Sequence, residues 1–322
     1  MKILVTGGAG FIGSNLCDLL ISRGEQVQVI DDLSTGSLEN IVHLAGNPDF
    51  NYHIDSILNA ELMDELICKC DCVVHLAAAV GVKYVLENPL SSIETNILGT
   101  ETALKIANKY RKKILVASTS EVYGKHMHAP LKEDDNLIYG PPSTMRWSYA
   151  ASKLVDEFTA LAYHRTKKLD TIILRCFNTI GPRQTGLYGM VVPRFIQQAL
   201  RDEPITVYGD GKQTRTFTYI HDVTESIYRL MLCEKGAGEV VNIGGTEEIA
   251  IADLAHKIRD LAGSNSEIVY IPYNEAYGKD FEDMMRRVPS VEKLDSLIGY
   301  VPETSLDEIL KSTIEYFRSK AS

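Results

Sequence analysis

The sequence predicts an α/β protein built on a doubly wound parallel sheet. Its first apolar run, from Lys2 to Thr6, stops at a glycine-rich turn and is followed by a helical pattern with Leu16, Leu19 and Leu20. Further apolar runs return at regular intervals, with helical stretches between them. Strand, turn and helix repeating in this order are typical of a parallel sheet with helices on both faces.

Composition and charge restrict the class of protein. Of the 322 residues, 45% are hydrophobic and 24% are charged, as in ordinary globular proteins rather than disordered or fibrous chains. The net charge of -10 argues against a nucleic-acid binder, which needs a basic surface. The chain starts directly with a strand pattern, and no apolar run approaches the length of a membrane span. We therefore expect a cytoplasmic protein with no membrane association and with reduced cysteines.

The turn Gly7-Gly-Ala-Gly10-Phe-Ile-Gly13 has the spacing of a dinucleotide-binding loop. Glycines permit a tight turn, close approach of the backbone to a pyrophosphate, and close packing of helix on strand. The phosphates then lie at a helix N-terminus, where N–H groups favour negative charge. Glycines also occur in plain loops, so a second observation is needed.

Two acidic residues supply that second observation. Asp31 and Asp32 follow the next apolar run, Gln26 to Ile30, about where a carboxylate binds the ribose hydroxyls of a dinucleotide. A carboxylate there repels the extra phosphate of NADP, so NAD is the expected cofactor. The ribose contact is assigned first to Asp31, because Asp32 is also compatible with a solvated turn residue.

The later apolar runs lie at 50–54, 72–77 and 113–117. Ligands of parallel sheets bind beyond the carboxyl ends of the strands. Asp55 and the run Ala77 to Ala79 lie at such ends, so contacts with adenine and with the nicotinamide ribose are expected there. The alanines are equally compatible with packing of a helix against a strand.

A group of residues suited to proton transfer follows the run at 113–117. The segment Ser118 to Gly124 follows a strand end, and a helix is predicted to begin near Trp147. On that helix, Tyr149 and Lys153 are one turn apart and share a face.

Tyr149 is the expected acceptor of a proton from a substrate hydroxyl. A phenol is a poor base at neutral pH because its reference pKa is about 10. The ammonium of Lys153 and a positively charged nicotinamide ring both favour the phenolate. Thr119 is expected to hold the same substrate hydroxyl.

No metal site is predicted. Cys68, Cys70 and Cys72 lack the paired spacing of zinc ligands and run from a predicted helix end into a strand. His126 and His128 have no accompanying carboxylate motif and are expected on a loop surface.

Together these residues are similar to the extended short-chain dehydrogenase/reductases that modify nucleotide sugars. The resemblance includes the glycine turn, the Ser/Thr before Val-Tyr-Gly, and Tyr149-x-x-x-Lys153. It continues through Arg175-Cys-Phe-Asn178-Thr-Ile-Gly-Pro-Arg183 and the segment at 207–222. It implies a Rossmann-type fold, an NAD cofactor and a nucleotide-sugar substrate, with a UDP-sugar expected first.

The resemblance also implies a division into two domains and a set of ligand contacts. The NAD-binding domain is expected at 1–178 plus 217–244, and a smaller C-terminal α/β substrate domain at 179–216 plus 245–322. Cofactor contacts are expected at Gly7, Gly10, Phe11, Ile12, Gly13, Asp31, Asp32, Asp55, Ala77, Ala79, Asn96, Tyr149 and Lys153. Substrate contacts are expected at Tyr84, Ser120, Asn178, Val192, Arg194, Arg215 and Arg287.

Three of the substrate contacts are expected to hold the nucleotide diphosphate. They are Asn178, Arg194 and Arg215, and guanidinium groups bind phosphate by bidentate hydrogen bonds. Arg215 is assigned to a glycine-rich turn, where it is also compatible with a solvated charge.

Within the family, Thr119-Ser120-Glu121 resembles the UDP-glucuronate decarboxylases, and Arg287 matches the arginine that is expected to meet the sugar carboxylate in those enzymes. The implied reaction oxidises sugar C4 with NAD while Tyr149 takes the hydroxyl proton. The resulting β-keto acid loses carbon dioxide, Glu121 and Arg287 manage charge and protonation at C5, and C4 is reduced again. The expected catalytic residues are Thr119, Glu121, Tyr149, Lys153 and Arg287.

The chain departs from those decarboxylases at two positions beside the expected carboxylate site. Phe281 replaces a tyrosine of the bifunctional aminoarabinose-pathway enzyme, and Val288 replaces a lysine. Glu121 is also compatible with a turn-stabilising carboxylate, and Arg287 with a surface ion pair.

Other activities are compatible with the same residues. A UDP-sugar 4-epimerase needs Thr119, Tyr149, Lys153 and NAD but has no use for Glu121, whereas a 4,6-dehydratase uses a glutamate as base at C5. A catalytically silent nucleotide-binding protein is expected to lack Tyr149 or Lys153. A homodimer is expected through the predicted helices at 90–110 and 148–166.

Overall fold

Strands alternate with helices along the chain, as the sequence predicts. The computed structural model describes residues 1–186, 190–273, 275 and 284–321, with the side chains at 82, 83, 86 and 321 left aside. The strands are β1 (Lys2–Thr6), β2 (Gln26–Asp31), β3 (Phe50–Ile54), β4 (Cys72–His75), β5 (Lys113–Thr119), β6 (Thr171–Cys176), β7 (Thr179–Ile180), β8 (Ile205–Tyr208), β9 (Thr214–Thr216), β10 (Thr218–Tyr219), β11 (Val240–Ile243), β12 (Glu248–Ala250), β13 (Ile268–Ile271) and β14 (Arg286–Arg287). The helices are α1 (Phe11–Ser22), α2 (Ala60–Lys69), α3 (Val82–Glu87), α4 (Pro89–Tyr110), α5 (Trp147–Lys167), α6 (Val191–Leu200), α7 (Ile220–Leu232), α8 (Ile251–Ala262), α9 (Glu292–Ile298) and α10 (Leu306–Ala321).

Seven strands of the described residues form one sheet in the order β11-β6-β5-β4-β1-β2-β3. Every neighbouring pair in this sheet is parallel. The chain moves outward from β1 to β3 on one side and from β4 to β11 on the other, so the strand order reverses between β1 and β4. Ligands of doubly wound sheets bind outside the carboxyl ends of the strands at such a reversal. The predicted fold class is confirmed.

The sheet is buried on both faces because its strands are apolar at successive positions. Ile3 and Val5 of β1 lie in a cluster with α1 and α7, whereas Leu4 lies in a cluster with α2 and α4 on the opposite face. All three side chains are fully buried. Burying each one stabilises the fold by roughly 1.5–3 kcal/mol.

A second core lies among α6, α8, α10 and the short strand β8. Phe195 of α6, Val207 of β8, Leu254 of α8 and Leu310 of α10 belong to one buried cluster. Nearby, β8 pairs with β13, and β9 lies between β12 and β14. These elements all fall in the expected substrate domain, whose bounds stay a prediction.

Two elements near the cavity differ from the sequence-based expectation. β5 continues past its apolar run through Ser118 and Thr119, and Arg215 lies on β9 rather than in a turn. Both differences arise from strand pairing, which the residue types do not reveal. Thr119 is in register with Cys176 of β6, and Arg215 with Ile249 of β12.

Two long helices pack against each other on one face of the sheet. These are α4 and α5, with 22 and 21 residues. Neither has an apolar stretch that could cross a bilayer, and the same holds for the other helices within the described ranges.

Candidate active site

A cavity of about 910 Å³ lies along the carboxyl ends of β1, β4, β5 and β6 and reaches α6 and β9. Its volume is at the upper end of the range for small-molecule sites. Most of the ligand contacts expected from the sequence line it. They are Gly7, Gly10, Phe11, Ile12, Gly13, Asp31, Asp32, Ala77, Ala79, Tyr84, Thr119, Ser120, Glu121, Tyr149, Lys153, Asn178, Val192, Arg194, Arg215 and Arg287.

Two expected cofactor contacts, Asp55 and Asn96, are not among the described residues that line this cavity. The Asp55 carboxylate accepts a hydrogen bond from the side-chain amide of Asn59 at 2.8 Å, next to the start of α2. Asn96 is buried, accepts a hydrogen bond from the Ala79 N–H at 2.8 Å, and donates one to the Ser152 hydroxyl at 3.1 Å. It therefore supports the wall at Ala79 from behind.

The turn after β1 requires glycine at two positions, because a Cβ atom there would clash with the backbone. A Cβ atom on Gly7 would lie 2.8 Å from the Ala77 amide nitrogen, and one on Gly13 would lie 2.2 Å from the Gly7 carbonyl oxygen. α1 begins after Gly10, and no described side chain caps its first turn. The open backbone and the uncapped helix end fit the pyrophosphate of a dinucleotide.

Hydrogen bonds to Asp31 connect the end of β2 to this glycine turn. Its carboxylate accepts hydrogen bonds from the Ala9 N–H at 2.9 Å and the Leu33 N–H at 2.8 Å. Burial raises the pKa of Asp31, and these backbone N–H groups act in the opposite direction. Asp32 is exposed and accepts a hydrogen bond from the Ser34 N–H at 2.9 Å. Both carboxylates line the cavity, so both remain candidates for the ribose contact.

Tyr149 and Lys153 line the cavity from α5. Burial raises the pKa of Tyr149 above its ordinary value, the charges of Glu121 and Asp156 raise it further, and a hydrogen bond with Thr119 lowers it. From the sequence, Lys153 is expected to favour the phenolate. However, the Lys153 ammonium lies 2.7 Å from the Asp156 carboxylate. This ion pair offsets part of the positive charge with which Lys153 favours a phenolate at Tyr149.

Glu121 lies between two arginines. Its Oε1 is 2.6 Å from Arg287 Nη1, and its Oε2 is 3.3 Å from Arg146 Nη1. The side chains are mostly buried, with exposed fractions of 20% for Glu121 and 6% for each arginine. Burial by itself raises the pKa of Glu121, but attraction to Arg287 and Arg146 outweighs it and lowers the pKa to about 2. At neutral pH Glu121 is therefore a carboxylate held by two cations.

The second core contributes further arginines. Arg287 on β14 is in register with Arg215 on the parallel strand β9, and both are buried. Arg194 on α6 lies over the ring of Tyr208, 3.8 Å from its centroid. The Asn178 amide donates a hydrogen bond to the backbone of β9 at 2.9 Å. Three guanidinium groups and one amide thus line the cavity from this side.

Arg146 is a site residue that the sequence did not reveal. It immediately precedes α5, lies three positions before Tyr149, and lines the cavity. Its helical backbone places it on the same face as Tyr149, which was the available signal. The signal was weak because arginines at the end of a polar loop are usually solvated. Other lining residues without a sequence-based role include Arg183, Gln213, Phe217 and Tyr273.

A buried ion pair supports the strand end beneath the site. Ser118 donates a hydrogen bond to the Glu157 carboxylate at 2.5 Å. Arg175 donates from Nε and Nη2 to the same carboxylate at 2.9 and 2.8 Å. Glu157 lies one turn after Lys153, so the network joins β5, β6 and α5.

Val288 occupies the position where the decarboxylases have a lysine. It is buried next to Arg287, and its carbonyl accepts a hydrogen bond from the Leu131 N–H at 2.8 Å. The Val288 backbone thus joins the loop after β5 to the residue that follows β14, and its side chain is apolar where a charged one was expected by resemblance. Phe281, the other departure, lies outside the described residues.

Comparisons with known proteins agree with the fold. A model of the GDP-mannose 4,6 dehydratase family matches residues 4–313. UDP-N-acetyl-alpha-D-glucosaminuronate decarboxylase of Bacillus cytotoxicus is 43% identical over 319 residues, covering 98% of this chain and 98% of that protein. UDP-glucuronic acid decarboxylase 1 of Arabidopsis thaliana is 36% identical over 322 residues, covering 99% of this chain and 70% of that protein.

A solved structure is similar over the whole chain. It is UDP-glucuronic acid 4-epimerase from Bacillus cereus in complex with UDP-glucuronic acid and NAD. The TM-score is 0.90 at 32% sequence identity, covering 99% of this chain and 100% of the epimerase. Decarboxylases and an epimerase of nucleotide sugars therefore share one fold with this chain.

Proposed function

Because the chain belongs to the GDP-mannose 4,6 dehydratase family, we propose that it is an NAD-dependent decarboxylase of a UDP-linked uronate that acts by transient oxidation at sugar C4. The observation that carries this proposal is the position of Glu121 between Arg287 and Arg146, in the same cavity as Tyr149. Paired guanidinium groups match a substrate carboxylate, because arginine binds carboxylates by bidentate hydrogen bonds.

The cofactor is assigned to the glycine turn and the start of α1. Gly7, Gly10 and Gly13 leave the backbone open to a pyrophosphate, Phe11 and Ile12 lie beside it, and Asp31 is the first choice for the ribose. Ala77 and Ala79 form the wall further along the cavity. When bound, NAD supplies the reversible acceptance of hydride from the sugar. The NAD in the similar epimerase supports this assignment.

Tyr149 is proposed to accept the proton of the C4 hydroxyl, and Thr119 is proposed to bind the same hydroxyl. Thr119 is close enough to Tyr149 to lower the pKa of its phenol, which supports a shared position for both groups. Because the pKa of Tyr149 is raised, the phenol is the main form at neutral pH, and proton acceptance requires a cation nearby. Lys153, one turn along α5, supplies that cation.

Glu121 acts through its charge rather than as a proton donor. With a pKa of about 2 it holds no proton at neutral pH. A substrate carboxylate on Arg287 meets this negative charge, and the repulsion is relieved when carbon dioxide leaves. The electron pair of the broken bond moves to the C4 oxygen as an enolate. The hydroxyl of Tyr149, which now carries the C4 proton, stabilises that oxygen by a hydrogen bond. C5 then takes a proton from solvent, C4 takes back the hydride held by the reduced cofactor, and the C4 oxygen takes back its proton from Tyr149.

The nucleotide diphosphate is assigned to the side of the second core. Arg194 and Arg215 supply positive charge there, while Asn178 and Val192 form the adjacent wall. Tyr84 and Ser120 are assigned to the sugar, because these two residues line the cavity. Ser120 also directly precedes Glu121.

UDP-glucuronate is the first candidate substrate, which would give UDP-xylose. UDP-N-acetylglucosaminuronate is the second, because the relative at 43% identity is named for its decarboxylation. Incubation of the NAD-loaded protein with each sugar, followed by product mass, tests the proposal. Loss of carbon dioxide from either sugar supports it, whereas loss of water from both would mean a dehydratase.

An unchanged mass with inverted configuration at C4 would mean a 4-epimerase. The similarity to the Bacillus cereus enzyme at a TM-score of 0.90 makes this the alternative to test. The same incubation, read by proton NMR of the sugar, separates an epimerised product from unreacted substrate.

A homodimer is proposed through α4 and α5. These adjacent helices expose apolar side chains, with exposed fractions of 68% for Leu90, 48% for Leu98, 42% for Val155 and 65% for Phe158. Val155 and Phe158 are one turn apart on α5, so they form one strip. Pairing this face with that of a second copy removes the strip from water.

A cytoplasmic location is proposed from the cysteines. All six are thiols, and Cys17, Cys70 and Cys72 are buried. Free thiols are typical of reducing compartments. Cell fractionation with an antibody tests this, and recovery of the protein outside the cytoplasmic fraction would contradict it.

A further inference from the structure

Asp156, the acidic member of a buried ion pair beside the cavity, has no part in the function proposed so far. The Lys153 ammonium lies 2.7 Å from the Asp156 carboxylate, one turn further along α5. Exposed fractions of the two side chains are only 3% and 1%. Water screens the attraction between two charges this deeply buried much less than it screens a surface pair.

The surroundings of Asp156 keep this pair in one arrangement. On α5 the carboxylate faces Lys153 and lies near the charge of Glu157, and the Thr100 side chain lies beside it on α4. The Thr100 hydroxyl is 3.2 Å from His75 Nε2 on β4. Burial and then the charge of Lys153 lower the pKa of His75 to about 3, so this imidazole is neutral at working pH. Lys153 is thus the cation that faces Asp156 among these groups.

We propose that Asp156 is a positioning residue of the proton-accepting site, which holds the Lys153 ammonium in place and sets the pH at which Tyr149 ionises. This inference rests on the proposed function only in taking Tyr149 as the proton acceptor.

The physical argument has two parts. An ammonium has three N–H donors. One points to Asp156, which leaves two for groups in the cavity and gives the long lysine side chain a single orientation. The carboxylate also carries the same charge as the phenolate, so it opposes ionisation of Tyr149 together with Glu121 and the neighbouring Cys176.

The sign of the effect follows from these charges. Asp156→Asn keeps the size and the hydrogen-bonding ability of the side chain but removes its negative charge. The phenolate is then opposed by one charge fewer, so the pKa of Tyr149 falls. We expect the ionisation midpoint, and the acidic limb of the pH profile of kcat/KM, to move to lower pH by roughly one unit. If Asp156 had a purely structural role, its replacement by Asn would shift neither the ionisation midpoint nor the acidic limb of the pH profile.

The test measures tyrosinate absorbance against pH in NAD-loaded protein. Each trace is corrected with the matching protein that also carries Tyr149→Phe, so that the other tyrosines cancel. Asp156→Glu retains the charge and is expected to keep the wild-type midpoint. Asp64→Asn is the matched control, because Asp64 also pairs with a lysine, Lys109, at 2.6 Å, but on the surface.

A midpoint that is unchanged or raised in Asp156→Asn would overturn the proposal. If Asp156→Asn does not fold, Asp156→Ser is measured in the same way, since it also removes the charge and retains a hydroxyl donor. Failure of the proposed function has a different signature. In that case wild-type protein releases no carbon dioxide from either UDP-uronate, while the tyrosinate titration still reports on Asp156.

Discussion

Arg287 Nη1 lies 2.6 Å from Glu121 Oε1, so the guanidinium proposed for the substrate carboxylate is already paired with a carboxylate of the chain. A uronate that binds there must share Arg287 with Glu121. Arg146, 3.3 Å from the other oxygen of Glu121, can retain the displaced glutamate. The site is therefore strongly charged before any ligand enters, and replacing single charges tests it directly.

Glu121→Gln is expected to abolish carbon dioxide release while transient NADH formation persists. The amide cannot repel the substrate carboxylate, and Arg287 is released to bind it. We expect the rate of carbon dioxide release to fall by about 10²–10³-fold, the usual range for loss of a group that acts by electrostatics. We also expect UDP-glucuronate to bind more tightly than to the wild type. Stopped-flow absorbance of NADH and isothermal titration measure the two effects, and equal carbon dioxide release by the variant would remove Glu121 from the mechanism.

Arg287→Ala is expected to weaken binding of UDP-glucuronate far more than binding of UDP-glucose. A charge-assisted hydrogen bond is worth about 1.5–3 kcal/mol, and only the uronate makes one at this position. Arg286→Ala is the matched control, because Arg286 is the adjacent residue on β14 but is exposed and pairs with Glu248 at 2.8 Å. Equal losses for both sugars in Arg287→Ala would assign Arg287 to the diphosphate or to the scaffold.

The parts of the site that depend on local spacing are predictable from the sequence. Gly7, Gly10 and Gly13 stand in one turn, and Tyr149 and Lys153 stand one helical turn apart, so neighbouring residues alone determine their arrangement. The fold class follows in the same way from the repeated strand–helix pattern.

Contacts between segments that are distant in sequence could not be predicted from local spacing. The pairing of Glu121 with Arg287 depends on the register of β14 with β9, which places Arg287 beside Arg215. Residue types do not specify that register, because both strands are short. The Lys153–Asp156 pair is local in sequence, but helical spacing alone gives no indication that both side chains are buried and paired with each other.

Phe158→Glu is expected to convert a dimer into a monomer. Phe158 is 65% exposed on α5, and a charge there would be buried without a partner if two copies met on this face. Sedimentation velocity measures the mass, and Met127→Glu, a substitution at an 86% exposed site in the loop after β5, is the control. If the Phe158→Glu protein had the same assembly mass as the wild type, the interface would not lie on this face.

Acid stability is expected to depend on Glu121. Its folded pKa of about 2 lies below the ordinary value of 4.5, so its ion pairs stabilise the fold fully above that value and are lost as the pH falls through 2. The difference corresponds to on the order of 3 kcal/mol in the free energy of unfolding. Urea unfolding at about pH 6 and about pH 3 should therefore show a smaller loss on acidification in Glu121→Gln than in the wild type. Glu65→Gln removes a glutamate from an exposed pair with Lys69, so its loss should match that of the wild type much more closely. An acid response in Glu121→Gln as steep as in the wild type would mean that Glu121 is not stabilised as a carboxylate by Arg287 and Arg146.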